Sequence, residues 1–235
     1  MILLSLDVIY IGSIVATHYE IAMMALNAGK HVLCEKPLSI NEKQSRSLFE
    51  TAKEKNLFFM EAIWSRFFES YKFLRQRIDD GDLGEIKEID LEFGFPLANT
   101  ERLFLKAGGG STLDLGVYPT QISLWVFRAE PTKVIAFGKL NEDGLDMEYN
   151  GEYHFPNGGI TKFKVSCLNA LSNKATIKGS KGEIVVSLPF RATNLCHIYQ
   201  RKYALNDRFK MRVGRTKCQS WRNMKNSSFF HYFKP

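Results

Sequence analysis

Residues 7–40 read DVIYIGSIVATHYEIAMMALNAGKHVLCEKPLSI, and three kinds of sequence follow one another within them. Asp7 to Gly12 hold a β-rich apolar run, VIYI. In HYEIAMMALNA, Ile21, Met24, Ala25 and Ala28 keep helical spacing until Gly29 closes the helix as a C-cap. HVLC, residues 31–34, is a second short apolar strand, and it runs into a charged pair, Glu35-Lys36, and then Pro37. Outward from this stretch the alternation continues. Ser39-Ile40-Asn41-Glu42 matches a capping box that opens a helix carrying Leu48, Phe49 and Ala52 up to Asn56, and LFFM, residues 57–60, is a third strand. Short apolar runs alternating with helices predict an α/β fold with a partial Rossmann-type parallel sheet, in which ligands lie beyond the carboxyl ends of the strands. Lys36 stands at such an end.

Further along, the pattern changes. A helix is expected around Arg66 to Asp80, stopped by Gly81. EIKEIDLEFGF then alternates, with Ile89, Leu91, Phe93 and Phe95 on one side and Glu88, Asp90 and Glu92 on the other, as a strand with one wet face does. TKVIAFGKL, MEYNGEYHF, ITKFKVSCLNA, KATIKG and GEIVVSL are further strands, separated by the turn sequences PNGG and GSKGE. An α+β domain with an open, mostly antiparallel sheet therefore follows the parallel one. The expected division is 1–63 for the nucleotide-type remnant, 64–190 for the α+β domain, and 191–235 for a basic tail.

Charge supports that last boundary. The chain carries a net +7, yet residues 191–235 hold 11 Lys+Arg against a single acidic residue, so all the basicity lies there. The tail shows neither clean helical nor clean strand periodicity. Four cysteines, Cys34, Cys167, Cys196 and Cys218, lie far apart without a C-x-x-C pair, which suggests neither a metal site nor a disulfide framework and fits a reducing, cytoplasmic setting. Asp7 interrupts the apolar start and no basic region precedes it, so a signal peptide is not expected. No apolar run approaches the ~20 residues that span a bilayer, so no membrane partner is expected.

AGGGSTLDLGVYP, residues 107–119, is the other stretch that carries chemistry. Gly108 to Gly110 allow a backbone close to a ligand, and Asp114 and Tyr118, four apart, fall on one face of a helix and can reach one pocket. The plainer reading is a loop followed by a satisfied helix-start carboxylate. For Trp64 and Phe93 the residues by themselves favour core packing.

CEKPLS, MEAIWSRFF, GDLGEI and AGGGSTLDLGVYP, in this order and spacing, resemble the glucose-fructose oxidoreductase/inositol dehydrogenase (Gfo/Idh/MocA) superfamily. Within it, the branch acting on dihydrodiols and D-xylose with NADP is the most similar, over about residues 7–190. The resemblance implies an NADP-dependent oxidoreductase, NAD not being excluded, with a small-molecule diol or sugar substrate and a homodimer formed through the open sheet. It implies that Lys36 lies beside the nicotinamide ribose and the substrate hydroxyl, at a Lys36-Pro37 peptide that is commonly cis. Tyr118 would be the general base and Asp114 the carboxylate that orients the substrate. His18, Glu35, Lys36 and Pro37 would bind the cofactor, and Trp64 and Phe93 would line the substrate pocket. A lysine partly removed from water would favour the tyrosinate by placing positive charge next to it.

Two departures accompany the resemblance. The G-x-G-x-x-G strand-to-helix unit that holds a pyrophosphate does not precede Asp7, and residues beyond about Arg191 resemble nothing in the family. The chain as given is therefore expected to bind NADP(H) weakly and to show no turnover. Two other classes compete: a non-catalytic binding or dimerisation module, and a nucleic-acid binder driven by the basic tail, which is disfavoured because no basic recognition module is present.

Overall fold

The computed structural model describes residues 6–97, 100–187, 190–192, 195–200 and 209–212, with side chains to residue 191. Its first layer is a three-stranded sheet, β1 (Val8–Ile11), β2 (His31–Cys34) and β3 (Phe59–Glu61), all parallel and in the order β1-β2-β3. Helices α1 (Val15–Asn27) and α2 (Glu42–Glu54) make the two crossovers, as the alternation predicts. Gly29 adopts φ +71°, the left-handed conformation that lets the chain leave α1 toward β2. Ile11, Ala22, Leu26, Val32, Cys34 and Leu48 form the core beneath this sheet. At the carboxyl ends of the strands lie Gly12, Glu35-Lys36 and Glu61.

Helix α2 is capped one residue pair later than expected. Asn41, not Ser39, is the N-cap, its side-chain oxygen accepting from the Gln44 N–H at 2.9 Å. Ser39 is instead buried, donating its hydroxyl to the Asn41 carbonyl at 2.8 Å. The capping-box pattern was matched by residues that share the work differently, because Asn41 offers an equally good acceptor closer to the first turn.

After a 3-10 helix at Trp64–Phe67, α3 (Glu69–Asp79) begins three residues later than the pattern suggests. The second sheet has eight strands in the order β11-β10-β9-β8-β4-β7-β6-β5, antiparallel except for β4 against β7. These are β4 (Ile86–Gly94), β5 (Lys133–Leu140), β6 (Asp146–His154), β7 (Ile160–Ser166), β8 (Ala175–Gly179), β9 (Gly182–Val186), β10 (Leu195–Gln200) and β11 (Phe209–Arg212). Central β4 follows the expected alternation: Ile89, Leu91 and Phe93 are buried, while Glu88 on the other face holds Lys162 and Lys178 at 2.8 and 2.6 Å. Helices α3 and α5 (Val117–Phe127) pack over the buried face with Tyr71, Leu74, Ile122 and Val126.

Two corrections belong here. Leu195–Gln200 and Phe209–Arg212 join the sheet as strands although their sequence lacks alternation. A ladder on a preformed edge supplies backbone hydrogen bonds whatever the side-chain pattern. The rest of the expected basic tail, 193–194, 201–208 and 213–235, lies outside the described residues. Asp114 and Tyr118 are also not on one helix: α4 is a single turn, Ser111–Asp114, and the chain breaks at Leu115-Gly116 before α5 begins.

Candidate active site

Lys36 leaves the end of β2 through a cis Lys36-Pro37 peptide and crosses to the other half of the molecule. Its ammonium donates to the Asp114 carbonyl at 2.6 Å and to Asp114 Oδ1 at 3.0 Å, and it lies 5.3 Å from the centroid of the Tyr118 ring. The Lys36 and Asp114 side chains are only 15% and 12% exposed, so this ion pair works in a medium much less screening than water. The interruption of the helix at Leu115-Gly116 therefore does not separate Asp114 from Tyr118 in space. The lysine joins them.

Asp114 has a second cation that sequence reasoning missed. Arg102, from the 3-10 helix Glu101–Phe104, grips the carboxylate with Nε to Oδ1 at 3.2 Å and Nη2 to Oδ2 at 2.9 Å. Burial by itself pushes the Asp114 carboxyl up, but the Arg102 hydrogen bond and the Lys36 charge outweigh it and hold the group below the usual carboxylate range. Arg102 stands twelve residues from Asp114 in an irregular segment, where no periodicity signals a contact.

Tyr118 is 3% exposed. Trp64 Nε1 donates to its hydroxyl oxygen at 3.0 Å, which leaves the phenolic proton for another partner, since the indole can only donate. Phe93 is fully buried, its ring packed edge-on against Tyr118 at 5.1 Å, Phe95 at 5.3 Å and Phe190 at 5.2 Å. Trp64, by contrast, is 39% exposed. The structure brings both beside Tyr118, Phe93 from below and Trp64 at the rim.

His18 is buried in α1, with Nδ1 2.8 Å from the Pro37 carbonyl and Nε2 3.0 Å from the Ser13 carbonyl. It thus ties the first turn of α1 to the turn that carries Lys36. Glu35 accepts from the Tyr10 hydroxyl at 2.8 Å and from the Lys36 N–H at 3.2 Å and, with Lys36 and Pro37, lines the cleft beside Asp114. Glu61, unremarked in the sequence, accepts from the Leu38 N–H at 2.9 Å; burial pushes its carboxyl up. Cys34, just before the pair, has its thiol pushed up to about 12, first by burial, and stays an inert core residue at neutral pH.

The three glycines also bring the backbone close to other parts of the protein, and Gly108 lines the cleft beside Lys36. Gly108 and Gly110 have φ +85° and +92°. A Cβ on Gly108 would run into Val15 at the start of α1, one on Gly109 into the Leu103 and Leu105 carbonyls, and one on Gly110 into the Asp146 carboxylate. That carboxylate caps α4, accepting from Ser111 Oγ at 2.8 Å and from Thr112 N at 2.6 Å. The glycines let protein approach protein.

Beside Lys36 and Asp114 opens a cleft of about 490 Å³ bounded by Gly12, Ser13, Val15, His18, Arg102 and Gly108. A larger groove, about 1850 Å³, runs between α3, α5 and the β5–β6 end of the sheet; Lys36 and Asp114 line the smaller cleft and not this groove, and Tyr118 lines neither. The smaller cleft fits part of a dinucleotide: its volume is that of a small-ligand site, and α1 opens onto it without a side-chain cap on its first-turn N–H groups.

A lysine–carboxylate–tyrosine cluster at the carboxyl end of a parallel sheet stands where α/β folds of the dinucleotide-binding class hold their ligands. Comparisons with known proteins agree. Residues 3–63 match the oxidoreductase family with an NAD-binding Rossmann fold, and residues 71–185 match the GFO/IDH/MocA C-terminal domain. The chain belongs to the GFO/IDH/MocA oxidoreductase family. It is 39% identical over 189 residues to trans-1,2-dihydrobenzene-1,2-diol dehydrogenase of Xenopus laevis, a match covering 77% of this chain and 56% of the relative. It is 36% identical over 193 residues to the human enzyme of that name, covering 79% and 56%. The chain thus spans a little over half the length of the curated relatives it matches. Among solved structures, a 3-ketoreductase from Actinomadura kijaniata in complex with NADP and TDP-benzene superposes with a TM-score of 0.74 at 25% identity, covering 87% of this chain and 65% of that one. An aldose-aldose oxidoreductase from Caulobacter crescentus complexed with glycerol shares the fold with a TM-score of 0.77 at 22% identity, covering 83% and 60%. Among the described residues no helix is long and apolar enough to cross a membrane.

Proposed function

We propose that the chain carries the active-site framework of an NADP-dependent oxidoreductase of the dihydrodiol or D-xylose dehydrogenase type, with Tyr118 as the base. One observation carries this reading: the Lys36 ammonium, which with Asp114 lines a cleft of nucleotide-fragment size, also lies 5.3 Å from the centroid of the buried Tyr118 ring. Gly12, Ser13, the N-terminus of α1, His18 and the Glu35-Lys36-Pro37 turn would hold the nicotinamide half of the cofactor. Bound there, a nicotinamide supplies the hydride acceptor. Asp114, kept ionised by Arg102 and Lys36, accepts a hydrogen bond from a substrate hydroxyl and orients it. The Tyr118 Oη, as phenolate, takes the proton of the reacting hydroxyl as its carbon loses hydride, so the C–H and O–H bonds break, a C=O bond forms, and the phenol so regenerated gives its proton to solvent before the next turnover. Trp64 forms the rim of the substrate pocket and Phe93 its floor. A homodimer through the open end of the second sheet completes the reading, supported by exposed apolar residues on β5.

The test replaces Tyr118 with Phe in the chain joined to a glycine-rich strand-helix unit that can hold the pyrophosphate, with D-xylose and a cyclic trans-diol as substrates. Turnover should fall by about 10²–10⁴-fold, the usual worth of a general base, while NADPH affinity read by cofactor fluorescence is unchanged. Activity within threefold of the parent removes Tyr118 from that role. Lys36→Met should weaken both turnover and nucleotide affinity, and parallel titrations with NADPH and NADH decide the cofactor.

A further inference from the structure

The ring of Tyr118 faces a second cation besides Lys36. Arg191, in the 3-10 helix Phe190–Ala192, sets its guanidinium carbon 5.6 Å from the ring centroids of Tyr118, Trp64 and Phe93 and 5.5 Å from that of Phe95. Its neighbour anchors it: Phe190 is fully buried against Phe93, and its N–H donates to the Asn173 carbonyl at 3.0 Å. The arginine is therefore placed by the core. Among the described residues it has no carboxylate partner, although Lys36 and Arg102 share Asp114 between them. A guanidinium set among aromatic rings is attracted to them without its N–H fork being paired, and that fork matches the oxygens of a carboxylate or phosphate.

We propose that Arg191 is a specificity-determining residue that selects substrates bearing an oxyanion, a carboxylate or phosphate a few carbons from the hydroxyl presented to Tyr118. The proposal rests on the reading of Tyr118 and Asp114 as the substrate-handling pair and narrows its substrate class from neutral diols and sugars to their acidic derivatives. Geometry permits this: a guanidinium 5.6 Å from the Tyr118 ring lies within the length of a pentose chain from a hydroxyl held there. Electrostatics favours it as well, since the aromatic surroundings leave the Arg191 charge uncompensated, and an arriving oxyanion would supply the missing partner.

The experiment is a calorimetric binding titration of the 235-residue chain with D-xylose, D-xylonate and D-xylose 5-phosphate, repeated on Arg191→Gln and Arg191→Met. At least one acid should bind tenfold or more tightly than D-xylose, the tighter of the two naming the oxyanion. Both variants should erase that preference; Met keeps a stem for the rings without the charge, so a loss shared by both reports charge rather than packing. Binding of D-xylose equal to that of both acids, binding of none of the three, or a preference surviving in either variant overturns the proposal. An oxyanion preference that depends on Arg191, found together with no oxidation of any of the three by the chain joined to the pyrophosphate-holding unit and supplied with NADP⁺, leaves this inference standing and sinks the dehydrogenase reading instead.

Discussion

Asp114 shows how a single side chain is tuned by partners the sequence keeps apart. Lys36 lies 78 residues away and Arg102 twelve, and both meet one carboxylate. Since its folded carboxyl lies below the ordinary range, the stabilisation from this cluster is fully present above the unfolded value of about 3.9 and is lost as pH falls through the lower folded value. Asp114→Asn should cost about 1.5–3 kcal/mol near neutrality, the worth of hydrogen bonds to a charged group. In urea titrations the gap between parent and variant should stay constant from pH 7 to 5 and narrow only below about pH 4. A gap that closes already between pH 7 and 5 would show that another group sets it. The residue types were legible in CEKPLS and LDLGVYP, and the structure does bring Lys36, Asp114 and Tyr118 together. Arg102 was not legible, because a 3-10 turn carries no period that points its side chain anywhere.

Among the elements, the short α4 is the one most sensitive to its surroundings. A one-turn helix has almost no intrinsic stability, and Asp146 of β6 holds its first N–H groups while Gly110, at φ +92°, makes room for that carboxylate. Gly110→Ala should therefore act at a distance: a Cβ displaces Asp146, α4 loses its cap, and Asp114 at its end moves off Lys36. We expect a destabilisation of about 1–3 kcal/mol in thermal melts, as for strain at a special backbone conformation, with substrate affinity falling as well. A variant as stable as the parent would separate α4 from the Asp146 cap. The glycine run was visible as a loop with close backbone approach, but its protein neighbours, Val15, the Leu103 and Leu105 carbonyls and Asp146, were not, since sequence shows that backbone comes close to something without showing to what.

For the whole molecule, β5 matters most. It stands at one end of the eight-stranded sheet with Val134, Phe137 and Leu140 58–69% exposed, all three lining the larger groove. Edge strands with exposed apolar side chains are ordinarily covered, and a second copy meeting this end of the sheet would cover them. Phe137→Glu should shift sedimentation toward monomer at micromolar concentration without lowering the melting temperature of the monomer. Unchanged sedimentation of parent and variant as a single monomeric species removes the homodimer.

Local order fixed what depends on near neighbours. The VIYI, HVLC and LFFM runs and the helices between them announced a parallel sheet, and the alternation of β4 named its buried face in advance, whereas α1 buries His18, Ala22, Ala25 and Leu26 and leaves Ile21 and Met24, whose spacing marked the helix, exposed. Tertiary structure decided whatever depends on contacts between distant segments. It split Asp114 from Tyr118 at Leu115-Gly116 yet rejoined them through Lys36, turned Glu35 toward Tyr10, and drew Leu195–Gln200 onto the sheet as a ladder that no side-chain pattern announces. It also seated Arg191 among four rings. A period of 2 or 3.6 residues records which face of one element is buried, but the partner on that face is selected by packing and charge across the assembled chain.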